Sequence, residues 1–172
     1  MSGTHNVLSN AAASFVETAS PLPAILAGTL VAGAMDISAA ILIWSTRAVA
    51  PSRVLQSVAG GVLGREAFAG GVATAALGLL LHFAIMSVIV SLFVIASRRM
   101  LILTPRSLPL AIVCGVAYGV VVYLVMTYVV VPLSASASRA PSMPQFFEGV
   151  IVHILCVGIP IALIARHWTL RD

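Results

Sequence analysis

The stretch that most constrains this chain is Phe68 to Ser97, thirty residues reading FAGGVATAALGLLLHFAIMSVIVSLFVIAS, with no Asp, Glu, Lys or Arg and a single His near its middle. A bilayer core about 30 Å thick is crossed by about 20 helical residues, so a run of this length and character predicts a transmembrane helix. Composition supports the same class for the whole chain. Of 172 residues, 60% are hydrophobic and 8% charged, and the mean hydropathy is +1.12. A soluble domain of this length needs far more polar surface.

Three more apolar runs accompany the first, giving spans at about 22–46, 68–97, 109–131 and 146–165. The expected fold is therefore all-α: a polytopic membrane protein, built as a bundle of four transmembrane helices plus one short interfacial or re-entrant helix. Residues 21–168 form that one domain, between a polar N-terminal extension at 1–20 and a C-terminal tail at 169–172. The extension lacks the basic and apolar regions of a signal peptide, and a surface helix is expected over Ala11 to Thr18.

The short helix is read at about 51–64, PSRVLQSVAGGVLG. Val54, Leu55, Val58, Val62 and Leu63 fall on one face, opposite Arg53, Gln56 and Ser57, with Pro51 in the first turn. That pattern suits a helix lying in the membrane interface, and its glycines keep a re-entrant loop open as the alternative.

Charge sits at the ends of the runs. The net charge of +4 comes from nine Arg and five acids without a Lys, and the Arg are not clustered, so nucleic acid is not an expected partner. An even number of spans puts both termini on one side. Arg98, Arg99 and Arg106 in the short second loop orient that side toward the cytoplasm. Cys114 and Cys156 lie inside apolar runs, where a free Cys behaves as a small hydrophobe.

Small residues at four-residue spacing mark packing faces: Ala24, Gly28 and Ala32; Gly70, Thr74 and Gly78; Ala111, Gly115 and Gly119. The first row continues to Asp36 and the second to His82. So many ridges leave packing surface beyond one bundle, so the expected partners are the lipid bilayer and either further copies in a homo-oligomer or a larger membrane complex. Pro132 is expected to stop the third span, and Pro160 to kink the fourth.

Ionisable groups inside a membrane are costly and point to function. Asp36, His82 and Tyr123 each lie about 20 Å along their spans, near the midplane. Thr127 and His153 are expected nearer the side opposite the termini. The sharpest candidate site pairs Asp36 with His82, because a carboxylate in hydrocarbon takes a partner or a proton. The competing account makes both groups interhelical fasteners. His82 and His153 are candidate axial ligands for haem b, against which stands their expected difference in depth. His153 and Cys156, three residues apart, are a weak metal pair. Without a second His pair, the sequence is read as carrying no cofactor, and it offers no hydrolase triad or strand-borne phosphate loop. Tyr118, Tyr123 and Tyr128 are expected as interfacial or interhelical hydrogen-bonders, or as the lining of a wet cavity. Glu148 suits the start of the last helix dipole.

GTLVAGAMD (Gly28 to Asp36), LGLLLHF (Leu77 to Phe83), MTYVVVPLS (Met126 to Ser134) and HILCVGIPIA (His153 to Ala162) resemble a family of small, uncharacterised four-helix proteins of bacterial inner membranes. The His-bearing second and last spans, with a Gly/Tyr-rich third between them, are distantly similar to the YagU-like inner-membrane proteins. The resemblance implies a four-helix fold and a bacterial inner-membrane location, and carries no catalytic residue. The function expected from the residues is a proton-linked transport or permeation role for a small solute. The alternatives are an accessory subunit of a larger complex and, third, a haem- or metal-binding redox protein.

Overall fold

A computed structural model describes residues 20–103, 107–136 and 140–170. The N-terminal extension and its expected helix at 11–18, Arg106 and the end of the tail lie outside the described residues. Among the described residues, four helices are long and apolar enough to cross a bilayer: α1 (Leu22–Ser45), α3 (Gly71–Arg99), α4 (Leu108–Leu133) and α5 (Met143–Thr169). Between the first two lies α2 (Pro51–Leu63), continued by a 3-10 turn at Gly64–Phe68. Among the described residues there is no strand. The chain is a multi-pass all-α membrane protein.

The two faces of the first span differ in side-chain size more than in polarity. On α1, Leu22, Leu26 and Leu30 are more than half exposed, whereas Ala24 and Ala32 are buried. Lipid solvates the large outward side chains, and the small inward ones let backbones approach. A methyl on Gly28 would strike Val90, and one on Gly33 would strike Phe83, so α1 lies against α3. Gly115 and Gly119 of α4 meet the α5 backbone at Gly158 and at His153–Ile154. The small-residue ridges are thus filled from within the chain, which removes the ground for reading them as docking faces for another subunit.

The short helix packs differently from the expectation. Gln56 is buried and donates to the Gly71 carbonyl at 2.8 Å, while Val62 is 63% exposed. Gly78 explains the approach: a side chain there would overlap the Leu55 carbonyl of α2. The contact face of α2 is chosen by closeness to α3, whose first turn offers polar acceptors, and not by hydropathy alone.

Both prolines act through a widened turn. Met126–Val130 and His153–Gly158 are π-helical. A helical proline clashes with the carbonyl four residues earlier, which for Pro132 and Pro160 falls on Tyr128 and Cys156, inside those segments. The i→i+5 turn makes room without ending the helix. Accordingly α4 runs through Pro132 to Leu133 instead of stopping there.

Tight packing is concentrated toward the termini. Ala24, Val90, Phe93, Val94, Ile161, Ala162 and Ala165 belong to one core cluster, bounded toward the middle by Ala32, Met86, Val122 and Val157. Tyr118 ties α4 to α3 there by donating to the Ile89 carbonyl at 2.6 Å. The opposite half of the bundle is open between α1, α4 and α5.

Candidate functional site

Asp36, Tyr123, Thr127 and His153 line one cavity of about 690 Å³, together with Trp44, Ser57, Tyr128, Gln145 and Glu148. Its residues come from the C-terminal halves of α1 and α4, Ala140 and Pro141 just before α5, the N-terminal half of α5, and α2. All of these lie at the end of the bundle away from the termini, and the cavity is a vestibule in that half. Asp36 is nine residues before the end of α1, Tyr123 ten before the end of α4, and His153 ten after the start of α5. At 1.5 Å per residue, the three lie at a common depth of about 13–15 Å.

That common level corrects the shallower position expected for His153. The Tyr123 and His153 rings are in edge contact, with centroids 5.2 Å apart. The difference arises at the helix start. Ser142 and Gln145 form a capping box, and this starts α5 at Met143, ahead of the expected Phe146. S-x-x-Q was the signal for it in the sequence.

Local geometry fixes the hydrogen-bonding character of His153. Its Nδ1 lies 2.9 Å from the Gly149 carbonyl oxygen, which can only accept. Nδ1 therefore carries the proton, and in the neutral ring Nε2 is an acceptor. Gly149 also makes space for Tyr123, since a methyl there would overlap the phenol ring. The π segment at His153–Gly158 begins at this histidine, and the one at Met126–Val130 contains Thr127 and Tyr128. One widened turn therefore lines the vestibule through Thr127 and Tyr128 and the other borders it at His153, a placement in which π-bulges often serve function.

The expected Asp36–His82 pair is absent. His82 is 8% exposed, its Nε2 donates to the Gly33 carbonyl at 2.9 Å, and its ring meets Phe83 edge-on. It joins α3 to α1 and does not line the vestibule. Asp36 has no hydrogen bond or ion pair among the described residues. For the same reason His82 and His153 do not front a shared space for a haem. Cys156 is not part of the lining either, and among the described residues no group of three His, Cys, Asp or Glu converges on a metal position.

Sequence reasoning missed the vestibule mouth. Arg47 Nη2 bridges both carboxylate oxygens of Glu148, at 2.7 and 2.9 Å, and its guanidinium lies 5.0 Å from the Trp44 ring centroid. The partners are 101 residues apart, so no local pattern announces them. The pair joins the end of α1 to the start of α5. With side chains 37% and 33% exposed, it contributes at most about 1 kcal/mol, and its role is to set the mouth. No protein family, curated protein or solved structure matches this chain.

Proposed function

We propose that this protein is a small-solute carrier whose binding site is the floor of the vestibule, with Asp36 exchanging a proton or the solute as the site changes access. The supporting observation is a cavity at the end of the bundle away from the termini, lined by Asp36, Tyr123 and His153; we take it to open to that membrane face. A packed core lies beyond it toward the termini. A site reached from one side and sealed on the other is what alternating access requires of one state. The π segment at Met126–Val130 lines it with Thr127 and Tyr128, and the one in α5 begins at His153, a placement in which such turns often serve function. The bacterial inner-membrane location belongs with this reading, on the likeness of the four stretches quoted above. With the termini cytoplasmic, as the arginines of the second loop favour, the vestibule opens outward. His82 is a fastener in this account, and neither a second copy nor a larger complex is needed.

The test is current on a solid-supported membrane carrying reconstituted protein, after concentration jumps of amino acids, polyamines, quaternary amines, carboxylates and sugars. At least one class gives a current under a proton gradient, and Asp36→Asn removes it while gel-filtration behaviour is kept. Silence across all classes, or a current that Asp36→Asn leaves intact, overturns the reading.

A further inference from the structure

The vestibule carries a chemical preference that the carrier reading leaves open. Among the described residues its lining holds two acids and no arginine, and the sequence contains no lysine at all. One acid, Glu148, is already bridged by Arg47. The other, Asp36, has no basic partner among the described residues. Beside it at the floor stands His153, whose Nδ1 proton is committed to the Gly149 carbonyl and whose Nε2 is an acceptor. The floor is thus rich in acceptors and short of a cation. Tyr123 stands at this level and Tyr128 above it, with Trp44 farther out at the mouth, and the faces of such rings attract cations within about 6 Å.

We infer that the ligand of this site is a small organic cation, a protonated amine held by Asp36 and His153 Nε2 and flanked by the aromatic side chains. This rests on the carrier reading only for the ligand's passage, not for its binding. An ammonium supplies up to three N–H donors and the missing positive charge at once. An anion would meet the Asp36 carboxylate with nothing to offset it. A neutral polar solute can hydrogen-bond to the carboxylate but supplies no counter-charge.

The experiment measures binding apart from transport. Protein in phosphatidylcholine nanodiscs is titrated with phenethylamine, spermidine and methylammonium, and with 2-phenylethanol and phenylacetate as neutral and anionic matches of the first. The readout is tryptophan fluorescence, corrected for empty nanodiscs, with Trp44→Phe identifying the vestibule signal. At least one amine is expected to bind about tenfold more tightly than the neutral match, the size of one charge-assisted hydrogen bond, and Asp36→Asn to erase that preference. The comparison of matched ligands on the unaltered protein holds even if Asp36→Asn fails to fold. Phenylacetate or phenylethanol binding as well as phenethylamine, or none of the three amines binding, overturns the inference. Amine binding without current overturns the carrier reading alone. Current carried only by a neutral or anionic solute overturns the inference and leaves the carrier.

Discussion

Gly158→Ala tests how α4 and α5 are held together around the vestibule. A methyl at this position would overlap the Gly115 carbonyl oxygen and come within 2.7 Å of Gly119 Cα. Both are backbone atoms, so neither can rotate away. Carbon atoms rest about 3.5–4.0 Å apart, so the helices must separate by about 1 Å. A gap of that size forfeits about a quarter to a half of each dispersion contact along the seam. The expected cost is about 1–3 kcal/mol, the range for overpacking a close-fitted site. Gly115→Ala pushes on the same seam, 2.8 Å from Ile159 Cα. The second methyl therefore enters a gap already opened, and the double variant costs less than the sum of the singles. The assay is reversible unfolding in mixed micelles, titrated with dodecyl sulfate and followed by circular dichroism. Unfolding of Gly158→Ala at the wild-type midpoint, or full additivity with Gly115→Ala, refutes the close approach.

Two further substitutions separate fastening from function. His82→Leu removes the donor to Gly33 and is expected to lower stability by about 1 kcal/mol in the same assay, while solute currents persist; their loss in a folded variant would return His82 to the site. Ala48 adopts φ 59° in the turn after α1, which strains a residue with a Cβ, so Ala48→Gly is expected to raise stability by about 0.5–1 kcal/mol. A destabilised variant would show that the turn is not so formed.

Hydropathy was sufficient for the four spans, because about 20 apolar residues have few other places to go. The small-residue rows at Gly28, Gly78, Gly115 and Gly119 were legible as contact faces, but their spacing does not say which backbone they meet. They meet this chain's own helices. Asp36, Tyr123, Thr127 and His153 stood out because polar groups are rare in such runs, and the four share one vestibule. His82 stood out by the same rule and is bound to a backbone carbonyl. Rarity marks a buried polar group without distinguishing ligand from fastener. Depth counted from a span's edge erred where a capping box extended the helix, and the Arg47–Glu148 pair exists only in the folded chain.

The central claim is that the vestibule admits water from one face alone and ends at Asp36. The direct measurement is labelling of single cysteines by a membrane-impermeant methanethiosulfonate in oriented proteoliposomes, with Cys114 and Cys156 replaced by Ser. Thr127→Cys and Ala40→Cys are in the lining, whereas Val90→Cys lies in the closed half. The account predicts that the first two react from the face bearing Arg47 and Glu148, that neither reacts from the opposite face, and that Val90→Cys reacts from neither. Labelling of Thr127→Cys from the side of the termini, or no labelling of the two lining positions from either side, would contradict it.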